Sequence, residues 1–582
     1  MALRICLVTP HAWSLPHDTN EHVGGVADAL RARGHHVVVL APSSRSGDLL
    51  AGRRALQRGE LDGVVALTRA VSVSPRSAVG MPIGVRASIA TALRRGAFDI
   101  VHGFDPGVPG LSHVALLEAK TATAASFVDA ERLGFPPRRT QRDRLLARVD
   151  TLIATDEDVA RRASARFPGS YTVVPAGIDL DLFAPSSKTR CIVVETSAGG
   201  LPIVRAALRA LRGLEDWEAI LLRTARLAAR PSIPLRLRDR VHVRTGATGA
   251  ARAELLRSAA MVVPSPDGLR RLRAEAAAAR CALVDPPDVM AQPELATAAV
   301  LRFAEDDDAR ERDGVARHAS VDGESFSDVA ERLETLYDAA RGRRRAPRRH
   351  ETEPLADRDW IVADLHMHTS HSHDCSIDPA ELVAHAEDEG LGAIAVTDHN
   401  ALSGALETVE LARGRALIVI PGEEVKTDRD GEVIGLFLRE EIPRGMSFAD
   451  TVAAIREQDG VVYVPHPFDR MHAIPSPATL HHHLPEIDVL EVYNARLLFD
   501  AYNDEALRFA RKYGLLAGAG SDAHVLQGVG TGALRMRRFE GAEEFLLSLR
   551  TATVLRRPKS LAYLQSLKWV AQARERLTAS TR

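Results

Sequence analysis

The sequence predicts an α/β protein built from parallel sheets covered by helices, in more than one domain. Three observations carry this. The chain has 582 residues, more than one core organises, so two to four domains are expected. Short apolar runs alternate with stretches whose apolar residues recur at helical spacing. The opening already has βαβ order, which requires a parallel pair joined by a crossover helix.

In chain order, LRICLVT reads as a strand, HVGGVADALRARG as a helix ended by Gly34, and HHVVVLAP as the next strand. FDIVHGF, DTLIATD, YTVVPAG and AAMVVPSP read as further buried strands, and FSDVAERLETLYDAARG as a closing helix. Two sheets fit this length, giving domains at 1–175 and 176–340. The stretch 341–359, RGRRRAPRRHETEPLADRD, is basic and then acidic with no apolar period, so it reads as a solvated linker. A nucleic-acid-binding arm would call for interleaved aromatics and a basic domain around it, which this sequence lacks.

After the linker the strands acquire different ends. WIVADLHMH ends in histidines, LGAIAVTDHN in Asp-His and ALIVIPGEEV in glutamates. GVVYVPHP ends in histidine, IDVLEVYN in asparagine and LLAGAGSDAH in Asp-Ala-His. This third domain is placed at 360–557, and KSLAYLQSLKWVAQARERL in 558–582 reads as a tail helix.

Bulk properties exclude several classes. Net charge is -2 with pI near 6.9, so overall charge gives no case for nucleic acid or a membrane surface. The four cysteines have no paired spacing, which fits a reducing compartment and argues against a disulfide frame or zinc ribbon. No apolar run reaches the roughly 20 residues needed to span a bilayer, and the expected location is the cytoplasm.

The strand ends are the chemical signal. Loops at the carboxyl ends of parallel strands open onto one face, where functional side chains gather. His366 and His368 share a strand face; Asp374, Asp398, His399, Glu423, Glu424, His466, Asp522 and His524 follow in order. Imidazole mixed with carboxylate suits zinc, iron or manganese, and so many ligands exceed one tetrahedral ion, so two or three clustered ions are expected. His371, His373, His385 and His481–His483 read as ordinary histidines, the last three in a solvated loop.

DLHMHTSHSHD, AVTDHN, PGEEV, PHPFDR and GSDAH together resemble the successive motifs of the PHP (polymerase and histidinol phosphatase) domain. The resemblance implies a distorted (β/α)7 barrel with a multinuclear metal centre. Carried over by position, the ligands are His366, His368, Asp374, His399, Glu424, His466, Asp522 and His524. Asp398 is expected to orient a ligand or take a proton, Arg470 to bind a phosphate oxygen, and Asn494 to sit where the family varies among ligand types.

The first 340 residues resemble a family-4 glycosyltransferase with the GT-B fold, two Rossmann-like halves facing a cleft. HVGGVADALRARGHHVVVLAP, FDIVHGFDPG, VVPAGIDLDLFAP and SFSDVAERLETLYDAA carry the likeness. The family's donor-holding acidic pair falls on Asp267 and Glu275. Elsewhere the match lapses. HAWSLPHDTNEHV lacks the acceptor-side Gly-Gly, Val128 and Asp129 stand where a histidine is usual, and CIVVETSAGGLPIV lacks the cations that neutralise a diphosphate. The expected activity is therefore metal-dependent hydrolysis of a small phosphorylated substrate by the third domain, beside a non-catalytic glycosyltransferase-like region. The alternatives are a bifunctional protein that also takes a sugar nucleotide in its cleft, and a binding or regulatory protein without chemistry.

Overall fold

The computed structural model describes residues 2–74, 77–80, 85–128, 133–197, 199–224, 232–246, 248–266, 268–285, 292, 295–344 and 355–557. The chain forms two compact units, Met1–Arg341 and Gly342–Arg582. Asp129, Asp267, positions 345–354 of the expected linker and the expected tail helix lie outside the described residues.

Unit 1 holds two doubly wound sheets. The first contains β1 (Arg4–Val8), β2 (His36–Ser43), β3 (Gly63–Ser74), β4 (Ser77–Gly80), β5 (Ile100–Phe104), β6 (Ala122–Phe127), β7 (Thr151–Ala154) and β8 (Tyr171–Val173). Their order is β4-β3-β2-β1-β5-β6-β7-β8, parallel except for the β3–β4 hairpin. The second contains β9 (Thr189–Glu195), β10 (Glu218–Arg223), β11 (Val241–Thr245), β12 (Ala259–Val263) and β13 (Ala282–Leu283), in the all-parallel order β11-β10-β9-β12-β13. Strand order reverses beside β1 and beside β9, the positions where such sheets open a ligand crevice.

The helix Phe326–Gly342, placed by sequence at the end of the second domain, belongs to the first core instead. Val329, Ala330, Leu333 and Tyr337 pack with Val23, Val26 and Ile100, and the Tyr337 hydroxyl meets His102 Nδ1 at 2.7 Å. Its amphipathic period was readable; the sheet it covers was not, because period names a face and not a partner.

Unit 2 contains β14 (Trp360–Met367), β15 (Ala393–His399), β16 (Ile418–Lys426), β17 (Glu432–Leu436), β18 (Val461–Val464), β19 (Val489–Asn494), β20 (Leu516–Gly520), β21 (Gly532–Arg537) and β22 (Thr553–Arg556). Neighbours run β20-β19-β18-β17-β16-β15-β14-β21-β22. Just beyond β20 the ring of seven closes on β14. Met367 and Ala523 form a parallel bridge, the Asp522 N–H donates to His366 O at 2.7 Å, and the His368 N–H donates to Ala523 O at 3.1 Å. The result is the expected distorted seven-stranded barrel. Its distortion is β17, antiparallel to both β16 and β18. Gly520 permits the closure, since a Cβ there would collide with the His366 Cβ. Inward apolar residues such as Leu365, Ala395, Ile434, Tyr463 and Ala519 fill the core. The run His481–His483, expected in a solvated loop, ends the short helix Pro477–His482, and His483 is buried beside Phe448.

Candidate metal centre

The barrel rim gathers the ligand-type residues because its parallel strands end there. Period 2 then decides which side chains face inward. In the β15–β16 register His399 pairs with Glu424 and Asp398 with Glu423. His399 Nδ1 lies 3.1 Å from Glu424 Oε2. His366 Nε2 and His368 Nε2 approach the same oxygen at 3.4 and 3.5 Å, while His466 Nε2 reaches Oε1 at 3.1 Å. One buried carboxylate thus faces four imidazoles. Burial alone would raise its pKa, but His366, His399 and His466 hold it well below the usual carboxylate range.

The remaining rim residues extend the cluster. His368 Nε2 is 3.5 Å from Asp522 Oδ1, His524 Nε2 is 2.9 Å from Asp374 Oδ2, and His399 Nε2 is 3.9 Å from Asp374 Oδ1. Ligand atoms converge in four sets: His368, His399 and His524; His366, Glu424 and His466; His366, His368 and Asp522; and His399, Glu424 and Glu432. The chemistry of this donor set fits divalent ions. His366 Nε2 and His368 Nε2 face each other at 3.3 Å, and His466 Nδ1 and Glu432 Oε2 are buried with no hydrogen-bond partner among the described residues. Mixed nitrogen and carboxylate donors at such spacing are those of transition-metal sites. His466 and Asp522 both adopt positive φ, 26° and 51°, a strained backbone that aims both side chains into the cluster.

Five residues that sequence reasoning singled out stand outside these four sets: Asp374, which meets the cluster through His399 and His524, Glu423, Asp398, Asn494 and Arg470. Asp398 accepts from the Thr369 N–H and hydroxyl, each at 2.6 Å, and from the Ser372 hydroxyl at 2.8 Å. Ser372 in turn meets His368 Nδ1 and accepts the His399 backbone N–H, so through it Asp398 braces the His368 imidazole and the backbone of His399. Asn494 donates to Glu491 and Asp522, at 3.0 and 3.2 Å. Arg470 is exposed on the segment after His466.

Three other residues escaped sequence reasoning. Glu491 accepts from the Tyr463 hydroxyl, the His466 N–H and Asn494, and its Oε1 lies 3.0 Å from His366 Nδ1. It lies inside EVYN, where the terminal Asn drew attention instead. Glu432 opens β17, and only the antiparallel run of that strand brings its start to the rim. Arg496 lies two residues past β19, its NH1 at 3.1 Å from both Asp522 Oδ1 and His524 Nδ1. In an Arg-rich chain no spacing distinguished it.

Glu423 points away and accepts the Ile442 N–H at 2.8 Å. Burial pushes its carboxyl up to about 7. A carboxyl raised on folding costs stability as pH rises from its unfolded value, about 4.3, to its folded one. Glu423→Gln, isosteric with the protonated acid, is therefore expected to leave stability unchanged near pH 4 and to raise it by about 1–3 kcal/mol near pH 8. Urea unfolding at the two pH values reads this directly; an equal effect at both would refute it.

In unit 1 a cavity of ≈ 620 Å³ is lined by Trp13, His17, Glu21, Arg271, Glu275 and Phe326 among others. Glu275, one of the expected donor-holding pair, is fully buried. Arg252 grips it with two bonds of 2.6 Å, and Arg252 NH2 also meets Glu21 at 2.6 Å.

The fold and site of unit 2 define an α/β barrel with a clustered imidazole–carboxylate centre at its rim. Comparison with known families places it more closely. The PHP domain matches residues 364–516 and the PHP-associated family residues 500–554, while Glycosyltransferase Family 4 matches residues 19–182. Two uncharacterised proteins of Methanocaldococcus jannaschii are 37% and 34% identical over 118 and 179 residues, which cover 19% and 30% of this chain and 68% and 70% of theirs. The C-terminal part of the chain therefore carries a PHP domain, and a segment matching Glycosyltransferase Family 4 precedes it. A phosphatidyl-myo-inositol mannosyltransferase of Mycobacterium tuberculosis is 28% identical over 197 residues, 32% of this chain and 48% of its own, so the chain spans about half of it. Among solved structures, a candidate metal-dependent phosphoesterase of Bifidobacterium adolescentis aligns at 20% identity over 28% of this chain and 87% of its own, with a TM-score of 0.25. Among the described residues, no helix is long and apolar enough to cross a membrane.

Proposed function

We propose that unit 2 hydrolyses a small phosphomonoester or nucleotide-type phosphoester, using two or three divalent ions of manganese, iron or zinc. The ions would be held by His366, His368, Asp374, His399, Glu424, His466, Asp522 and His524, with Glu432 as a further carboxylate. The observation that carries this reading is Glu424 facing four imidazoles inside a ring of other ligand-type groups. Bound there, the ions would supply a water nucleophile at neutral pH and neutralise the phosphate oxygens.

The chain's own residues do the rest. Glu491 orients His366 and His466, Asp398 orients His368 and His399 through Ser372, and Asn494 orients Asp522. Arg496 offers a fork of donors at the rim, the geometry suited to a phosphate oxygen, in the role first expected of Arg470. Unit 1 serves as a partner that does not transfer sugar.

Manganese-loaded protein should release phosphate from members of a phosphomonoester and small phosphodiester panel, and His366→Ala should lose both metal and release. No release, with His366→Ala keeping its full metal content, would sink the reading. On a cleaved substrate, Arg496→Ala should lower kcat/KM by about 10–100-fold, the worth of one hydrogen bond to a charged group, and Arg470→Ala should change it little. Equal losses in both variants would remove Arg496 from the phosphate-binding role.

The bifunctional reading is favoured by the family-4 match and the mannosyltransferase likeness. Calorimetry with UDP- and GDP-sugars tests it, and neither binding nor donor hydrolysis is expected.

A further inference from the structure

The second sheet of unit 1 should open its ligand crevice between the carboxyl ends of β9 and β12, where the strand order reverses. In nucleotide-binding sheets, backbone N–H groups at such a crevice hold a phosphate. Here the same kind of groups are already occupied. β9 ends in Glu195, whose side chain is only 1% exposed. Its Oε2 accepts the Ser265 N–H at 3.0 Å, and its Oε1 accepts the Leu269 N–H at 2.7 Å and the Thr224 hydroxyl at 2.7 Å. Ser265 and Leu269 belong to the loop between β12 and the helix Arg271–Ala278. Gly268 in that loop lies directly against the carboxylate, for a Cβ there would collide with both Glu195 oxygens. Ser197 and Ser265 close the floor by bonding to each other.

We propose that Glu195 is a built-in anion: its carboxylate takes the place of a phosphate in this crevice, so unit 1 does not bind a nucleoside diphosphate there. Two consequences of this carboxylate support it. The Ser265 and Leu269 N–H groups already donate to Glu195, and a carboxylate at that point repels a second anion. Glu275, on the helix that follows the loop, is also engaged on both oxygens by Arg252. The inference gives a physical cause for the reading that unit 1 does not transfer sugar, and it rests on binding geometry rather than on that reading.

The test is hydrogen–deuterium exchange on the full chain, following peptides that span 259–283, with UDP, GDP or inorganic phosphate as probes. Following these peptides separates the crevice from any nucleotide bound at the barrel. Wild-type protein should show no protection with any probe. Glu195→Ala frees the N–H groups and should show exchange slowed by about tenfold or more with UDP or phosphate. Glu195→Gln keeps the side chain in place and should stay unprotected. Protection of these peptides in wild-type protein overturns the proposal, as does an Ala variant that is folded but unprotected. Should Glu195→Ala not fold, Glu195→Ser takes its place under the same two criteria. Loss of phosphoester hydrolysis as a reading would leave these outcomes untouched, and sugar transfer is read separately by donor hydrolysis.

Discussion

Glu424→Gln is expected to lower kcat/KM for phosphoester hydrolysis by about 10³-fold or more, which is about 4 kcal/mol of transition-state stabilisation. The reason is geometric. Glu424 Oε2 stands within 3.5 Å of nitrogens on His366, His368 and His399, and Oε1 stands 3.1 Å from His466. An amide keeps the shape but removes the charge, and it turns an NH2 donor toward groups arranged to hold cations. Metal content should fall by at least one ion per chain. Glu423→Gln is the control, because that side chain accepts the Ile442 N–H on the other face of the same strand. Phosphate release and metal analysis on one sample check both. A Glu424→Gln protein with full metal content and more than about a tenth of wild-type activity would remove Glu424 from the centre of the site.

Arg252→Ala is expected to destabilise unit 1 by about 3–5 kcal/mol, the usual cost of leaving one member of a buried ion pair uncompensated. Arg252 and Glu275 are 2% and 0% exposed at the side chain, with Glu21 closing the network at 2.6 Å. Without the guanidinium, the buried Glu275 carboxylate would be left with the longer Arg271 contact at 3.6 Å to offset its desolvation. The double variant Arg252→Met, Glu275→Leu should recover most of the loss, since apolar groups of similar volume can replace such a pair. Chemical denaturation of the wild-type protein and the two variants measures it. If the double variant is as unstable as Arg252→Ala, packing of the Arg stem carries the effect instead, because long charged side chains also bury apolar stems. The same geometry recasts Glu275. Sequence reasoning placed it as a donor ligand, and the structure gives its carboxylate an internal partner.

Much of this protein was legible in its sequence. Apolar runs with helical stretches between them are a local signal, so LRICLVT, FDIVHGF, WIVADLHMH and LGAIAVTDHN each appear as strands close to where they were expected. The ligand-type residues just past those strands were legible for the same reason, because in parallel sheets a strand's carboxyl end is by construction on the functional face. His366, His368, His399, Glu424, His466, Asp522 and His524 therefore needed no knowledge of distance to be grouped.

Other features depend on partners remote in sequence. Glu432 reaches the rim only because β17 runs against its neighbours, and strand direction is set by pairing, which no local pattern encodes. Period 2 places Glu423 and Glu424 on opposite faces, but it takes the register with Asp398 and His399 to say which face is inward. Asp398, Glu491 and Asn494 brace the ligand-type residues through hydrogen bonds to residues such as Thr369, His366 and Asp522, and Glu491 reaches across 125 positions to His366. Arg496 and Arg470 were equivalent as letters; position in the folded barrel separates them. In unit 1, only the folded chain reveals that Arg252 holds Glu275 and that Glu195 takes up the Ser265 and Leu269 N–H groups. The sequence by itself determined the α/β class and the set of imidazole and carboxylate residues at the strand ends, because both follow from local periodicity. The tertiary structure alone decided which polar groups face the centre, which brace it and which are paired internally, because those roles are set by contacts that form when the sheets close.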